Sequence, residues 1–237
     1  MNSLRSCSTN NFFSLNSFQL KILACLFMAI DHVGYIMFPE CMLLRLIGRL
    51  AFPLFAFMIA NGFYYTKNRR RYLLRLFLFG LAIQIPFYLF TSSEMLNIFF
   101  TLSLGLAAIW LYDLLKDWHK GWGFLCVAAC AVLAQLLHLD YQAYGVLLIF
   151  TSYLLFNDLK RLIIPWGIIN FANFLLLCLT SSQGFHYQWA YIQSFSLVSI
   201  IFILMYNRQE GRKATLLFYI FYPSHLAAIY LLSQIIR

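Results

Sequence analysis

From Phe18 to Ile236 the sequence runs through one long apolar stretch after another, with only a few polar or charged residues between them. A helix that crosses the hydrocarbon core of a bilayer needs about 20 mostly apolar residues, with a working range of about 17–25. Nine stretches approach that length: Phe18–Phe38, Met42–Phe63, Tyr72–Phe90, Leu96–Tyr112, Gly121–Leu137, Tyr141–Phe156, Leu162–Leu179, Trp189–Tyr206 and Ala214–Ile236. Little chain is left over. The expected fold is therefore all-α: a polytopic membrane helical bundle of about nine transmembrane helices, forming one domain over residues 18–237 behind a cytoplasmic tail, residues 1–17. An outer-membrane barrel would alternate apolar and polar residues in segments of about 10, and these runs do not alternate. The chain is 62% hydrophobic and 11% charged, where a soluble domain carries about 25% charged residues. That balance excludes a soluble enzyme, a disordered chain and a nucleic-acid module, although the net charge is +9.

The charges order the spans. Loops rich in Lys and Arg stay in the cytoplasm. Lys67, Arg69, Arg70 and Arg71 fall in the second loop, Lys116 and Lys120 in the fourth, Lys160 and Arg161 in the sixth, and Arg208, Arg212 and Lys213 in the eighth. The odd loops carry Glu40, Glu94, Asp140 and the uncharged stretch Ser181–Gln188. This asymmetry places the N-terminus in the cytoplasm and accounts for the basic balance without nucleic acid. The tail has Arg5 but no cleavage site, and the first span is too long for a signal-peptide core, so it is expected to be retained. His138, Leu139 and Asp140 alone separate the fifth and sixth spans, which reads as a tight hairpin. Cys126 and Cys130 share a helical face, but no histidine or carboxylate is spaced to complete a metal site with them, so no metal is expected.

Ionisable residues inside a membrane are costly and usually face the bundle interior for a purpose. Five groups stand out. Asp31 and His32 lie about 13 residues into the first span, roughly 20 Å deep at 1.5 Å per residue. They differ by about 100° around the helix, so both can face inward without bonding each other. Arg45 and Arg49 lie one turn apart on the second span. They suit neutralising Asp31, binding an anion or polarising a carbonyl, and Arg45 alone is near enough to the surface to snorkel. Asn97 and Thr101 open the fourth span, where Asn97 also suits a plain helix cap, and Gln84 and Pro86 lie at similar depth. His138, Asp140, Tyr141 and Tyr144 cluster at the hairpin. Asp140 can orient an imidazole or remain a solvated loop carboxylate. His225 follows Pro223 in the last span, where a kink is expected and Ser224 can bond a freed carbonyl.

Several of these motifs occur together elsewhere. LKILACLFMAIDHVGYIMFP, followed by LRLIGRLAFPLFAFMIANGF, resembles the opening of the TraX family of pilin acetylases. The likeness continues through RRRYLLRLFLFGLAIQIPF, LNIFFTLSLGL and LDYQAYGVLLI to LFYIFYPSHL, covering most of residues 19–232. One departure is Asn61, where the family pattern has an acidic residue before Gly62. TraX-like chains are similar in turn to a wider set of multi-span acyltransferases, including heparan-α-glucosaminide acetyltransferase. The resemblance implies a bacterial cytoplasmic (inner) membrane, acetyl-CoA as the donor substrate, and an amine acceptor at the outer face, on a pilin N-terminus or another envelope protein or glycan. It also implies a key histidine in or just after the first span, which matches His32.

The resulting expectation is an acetyl-CoA-dependent membrane N-acetyltransferase. Lys67, Arg69, Arg70, Arg71 and Arg75 are the expected phosphate-binding residues. His32 is the expected general base, biased by Asp31 or Asp140, with Arg49 and Asn97 stabilising an oxyanion and His225 as second choice for the base or as acid. His32, Arg49 and His225 are expected to meet in one cavity between the first, second and last spans. The rival reading is a small proton-coupled transporter, whose relay would use the same residue types. Against it, the sequence has no inverted repeat and no matched pair of broken helices.

Overall fold

The computed structural model describes residues 14–91, 95–180, 185–213 and 215–236. Helix dominates: α1 (Ser17–Ile36), α2 (Met42–Gly48), α3 (Ala51–Tyr65), α4 (Arg69–Thr91), α5 (Ile98–Leu115), α6 (Lys120–Leu136), α7 (Gln142–Leu154), α8 (Ile163–Thr180), α9 (Phe185–Ser194), α10 (Ile200–Leu204) and α11 (Thr215–Ile236). Short 3-10 turns, Leu159–Leu162 and Phe195–Ser199, lead into α8 and α10. Among the described residues there are no strands, only isolated bridges pairing Leu15 with Tyr206 and Leu96 with Leu139. The tail up to residue 13, Glu94 and the start of the Ser181–Gln188 connection lie outside the described residues.

Among the described residues, five stretches are long and apolar enough to cross a bilayer: Ser17–Ile36, Met42–Tyr65, Arg69–Leu89, Ile98–Leu115 and Leu159–Leu179. Gly121–Leu136, Gln142–Leu154 and Gln188–Leu204 are apolar but shorter, and α11 contributes 22 residues. The expected count of nine is therefore not reached by length and apolarity alone, because the fifth, sixth and eighth runs fold into shorter helices and the ninth, in α11, is not among the five. Arg69, Arg70 and Arg71, read as loop residues, instead form the first turn of α4. Asn68 explains the early start: its side-chain oxygen accepts from the Arg71 N–H at 2.9 Å, as a capping residue does. At α1, Asn16 and Gln19 form a reciprocal capping box, each side-chain oxygen accepting the other's backbone N–H at 2.9 Å.

The second run is not one helix. It breaks at Arg49 and Leu50, between α2 and α3. Pro53 is the cause in the sequence: it has no N–H to donate, and its ring crowds the carbonyl four residues earlier, which belongs to Arg49. The break puts Arg49 at the end of α2 rather than inside a continuous helix.

α3 is the most enclosed element. Phe52, Leu54, Ala56, Phe57 and Ala60 are fully buried, with α1, α5 and α7 packed around them. By contrast Ile85, Ile164 and Leu179 are largely exposed apolar side chains on α4 and α8, the faces such a bundle turns to lipid. The connections sort to two ends. At one, Asp113 of α5 pairs with Arg69 at 2.5 Å and Lys116 at 2.6 Å and accepts from Tyr153 of α7 at 2.6 Å. Arg208 donates there to the Asn157 carbonyl at 2.7 Å. We call this the basic end. At the other, the Asp140 N–H donates to the Leu96 carbonyl at 2.9 Å.

Candidate active site

The Asp31 carboxylate is shared by two guanidinium groups. Oδ2 lies 2.8 Å from Arg45 Nη1 and 2.5 Å from Arg49 Nη2. Arg45 also donates to the Asp31 carbonyl at 3.1 Å, and Arg49 reaches Gln193 of α9 at 3.4 Å. The i, i+4 spacing of the arginines presents both to one point on α1. Gly48 makes that approach feasible: a Cβ there would stand 2.3 Å from Asp31 Cβ and from Oδ1. Arg45 does not snorkel to the surface. Its guanidinium lies between the rings of Tyr35 and Trp189, 5.1 and 5.0 Å from their centroids. Two cations share this one carboxylate, and Asp31 Oδ1, Arg45 Nε and Arg49 Nε are buried with no hydrogen-bond partner among the described residues.

His32 turns to a different neighbour. Its Nδ1 lies 2.8 Å from Nε2 of His225, 193 positions later in the chain. Asp31 pairs with the arginines, so the residue that orients His32 is His225 rather than the adjacent carboxylate. The proton positions follow from the next bond. His225 Nδ1 lies 2.8 Å from the Phe221 carbonyl, which can only accept, so Nδ1 carries the hydrogen. A neutral His225 then presents a bare Nε2, which must accept from His32 Nδ1–H. A neutral His32 in turn has a bare Nε2. The chain carbonyl, imidazole, imidazole thus leaves one basic nitrogen on His32. Ser224 donates to the carbonyls of Ile220 at 2.8 Å and Phe221 at 3.1 Å beside Pro223.

Asp31, His32, Arg45 and Arg49 line one cavity of about 220 Å³ together with Asp140 and Tyr141. His225 is not part of its wall, so the expected meeting of His32, Arg49 and His225 in one cavity holds for the first two only, with His225 touching His32 from behind. Asp140 lies in the turn between α6 and α7, outside both helices. Burial pushes its carboxyl up to about 6, against the opposing pull of Arg49. It is therefore part of the cavity rather than a solvated loop group. Thr101 donates to its carbonyl, and Tyr141 stacks on Phe52 with centroids 3.7 Å apart. Asn97 is different. It is fully buried and caps α5, accepting from the Phe99 N–H at 3.0 Å. Its amide donates to the Gly80 carbonyl at 2.8 Å and to Gln84 at 2.9 Å. Both amide hydrogens are committed to α4, so Asn97 holds the scaffold and has none left for an oxyanion. His138 is exposed on the turn.

A second cavity, also about 220 Å³, extends toward the basic end and is lined by Lys21, Asn61, Thr66, Tyr72 and Arg75, among others. Asn61 is buried, donating to Ser17 at 3.3 Å and accepting from Tyr206 at 2.8 Å, so the departure from an acidic residue leaves a neutral structural link there. The two cavities share four lining residues: Met28, Phe55, Ile98 and Tyr222. They adjoin at those four side chains. Of the expected phosphate-binding residues, only Arg75 lines the second cavity, where its Nε donates to Tyr219 at 3.0 Å. Arg69 is committed to Asp113, and Arg70 and Arg71 line a separate outward-facing groove. Lys67 is exposed beside Thr66. Lys21 carries no signal in the sequence, because one lysine near the start of a span looks like a flanking charge.

A helical bundle with apolar faces outward and a charged, histidine-bearing cavity inside defines an integral membrane protein with a buried polar site. The chain matches the family described as TraX protein over residues 17–233, and it belongs to that family. It is 28% identical over 242 residues to a probable fimbrial assembly protein, FimC of serogroup H1, from Dichelobacter nodosus, covering 90% of this chain and 94% of the relative. It is also 28% identical over 178 residues to an uncharacterized protein, RP591, of Rickettsia prowazekii (strain Madrid E), covering 65% of this chain and 69% of that one. No solved structure matches at a significant level.

Proposed function

We propose that the protein is an acetyl-CoA-dependent N-acetyltransferase of the bacterial inner membrane, with its N-terminus and basic end in the cytoplasm and its chain crossing the bilayer nine times. The acceptor is an amine at the outer face, and the fimbrial relative favours a pilus subunit N-terminus. One observation carries the reading: the cavity at the basic end abuts the polar cavity across four side chains. A donor with a charged, phosphate-bearing head and a thin thioester arm fits such a pair. Its phosphates meet Lys21, Lys67 and Arg75 at the basic mouth, and its arm passes Met28 and Tyr222 to reach His32.

The chemistry follows from the proton positions. His32 Nε2 takes the proton as the acceptor nitrogen attacks the thioester carbonyl. His225 accepts from His32 Nδ1–H and holds the ring in the tautomer that exposes Nε2. The oxygen that gains charge lies in a cavity where the guanidinium N–H groups of Arg45 and Arg49 stand beside the carboxyls of Asp31 and Asp140. Such preorganised charge is usually the largest catalytic contribution. Collapse of the tetrahedral adduct forms the amide and breaks the carbon–sulfur bond, and His32 returns the proton to the departing thiolate.

The test is transfer of labelled acetyl from acetyl-CoA to an envelope amine by membranes holding the protein. His32→Ala should cut the rate by about 10²–10⁴. His225→Ala should give a smaller loss, with acetyl-CoA binding retained in both. Wild-type membranes that transfer no label to any peptide or glycan would reject the reading. Proton-coupled solute movement that depends on His32 would then support the transporter.

A further inference from the structure

Outside the candidate site, α4 and α11 diverge enough to leave an outward-facing groove of about 1070 Å³. Leu74, Leu78 and Ala82 line it on one side, and Ile220, Pro223 and Ala227 on the other. The spacing on both helices is that of a single face. The groove becomes charged toward its basic end, where Arg70 and Arg71 line it with Asn68, and Arg75 one turn deeper is held by its bond to Tyr219. Arg69 next to them is satisfied by Asp113 at 2.5 Å. Among the described residues no carboxylate pairs with Arg70 or Arg71. Ser224, the polar group deeper in the groove, spends its hydroxyl on the carbonyls of Ile220 and Phe221.

The dimensions match one leaflet. From Arg70 to Ala82 the helix rises about 18 Å at 1.5 Å per residue, and half of a 30 Å hydrocarbon core is about 15 Å. Two unpaired guanidinium groups therefore stand at headgroup depth above an apolar channel one leaflet deep. Guanidinium binds phosphate oxygens through paired N–H donors, and basic pockets between helices are a recurrent seat for anionic lipid headgroups.

We propose that this groove seats an anionic phospholipid, with its phosphate on Arg70 and Arg71 and an acyl chain between α4 and α11. The site is distinct from the cavity that Arg75 lines, although Arg75 also borders the groove and its bond to Tyr219 stands between the two spaces. The proposal does not depend on acetyl transfer. A lipid here spans the gap between α4 and α11, the two helices that carry Arg75 and His225.

The experiment uses the purified full-length protein in detergent, with phosphatidylglycerol or phosphatidylcholine added and the lipid retained per protein measured by native mass spectrometry. Phosphatidylglycerol should be retained at least tenfold more than phosphatidylcholine. Arg70→Gln with Arg71→Gln should remove most of that preference, since each arginine near an anionic headgroup is worth about fivefold in affinity. Ala82→Phe with Ala227→Phe keeps both charges but fills the channel, and should lose retention as well. Equal retention of the two lipids by the wild type would overturn the proposal without any variant. So would undiminished retention in the filled groove, which would mean the arginines attract headgroups without a seat. Displacement of phosphatidylglycerol by free coenzyme A would assign the two arginines to a soluble phosphate ligand instead, whereas failure of acetyl transfer would leave the lipid result untouched.

Discussion

Gly48→Ala is the smallest change that should dismantle the charged cluster. An added methyl would lie 2.3 Å from both Asp31 Cβ and Oδ1, whereas carbon contacts are optimal at about 3.5–4.0 Å. One of the two atoms is Asp31's own β-carbon, so no side-chain rotation relieves the clash, and α1 and α2 must separate by about 1 Å. Gly34 faces the Leu44 β-carbon across the same interface, so sliding the helices offers little escape. A 1 Å separation takes the 2.5 and 2.8 Å contacts of Asp31 with Arg49 and Arg45 beyond good hydrogen-bond range. Overpacking costs about 1–3 kcal/mol, and a broken buried ion pair adds more. A total near 3 kcal/mol lowers the unfolding midpoint of a chain this long by about 6–12 °C. Thermal unfolding in detergent measures it. Gly167→Ala is the matched control, because a β-carbon there meets nothing within 4 Å. If the two variants melt together, the packing argument fails.

Asn97→Ala should cost about 2–4 kcal/mol, from a lost cap of about 1 kcal/mol and a buried Gly80 carbonyl left unpaired, while turnover per folded molecule stays near wild type. A large loss of turnover at full stability would return Asn97 to the chemistry. Asp140 has a carboxyl raised to about 6 by burial, above its unfolded value. Its contribution to stability is therefore fully present below about pH 4 and is lost as pH rises through 6, by at most about 1.4 kcal/mol per pH unit. The stability difference between wild type and Asp140→Asn, followed from pH 4 to 7 by thermal melts, should show that slope, and a flat difference would refute it.

Much of this was legible in the sequence. Apolar runs gave helices because nothing else satisfies backbone groups in lipid. The Asp31, Arg45 and Arg49 cluster followed from spacing, since residues four apart share a face and a lone carboxylate in an apolar helix must find a cation. The approach of His32 to His225 followed from depth, but Arg49 turns to Asp31 and His225 lies outside the cavity that His32 and Arg49 line. What spacing could not convey was which polar neighbour each group would choose. Asp31 and His32 are adjacent, yet they serve opposite partners, and only the packing of α11 against α1 decides it. Asn97 looked equally like a cap or a reacting-centre donor until its amide was seen to close on Gly80 and Gln84. The break at Arg49 had a visible cause in Pro53, and the start of α4 at Arg69 had one in Asn68. The adjoining cavities had no local signature, because their walls come from six helices, α1 to α5 and α11.

In the proposed orientation, the four side chains shared by the two cavities also stand where the membrane potential acts. A membrane held at 100 mV acts on each elementary charge with about 2.3 kcal/mol, and a histidine pair open to both faces would be a proton short circuit. Met28, Phe55 and Ile98 offer protons no relay, and Tyr222 offers one hydroxyl. In the proposed orientation, a donor that reaches His32 from the basic end passes these four side chains. That limits the passenger to something slender and mostly apolar, and makes the tightness of the seal a property that variants enlarging the cavity would compromise before they compromised the fold.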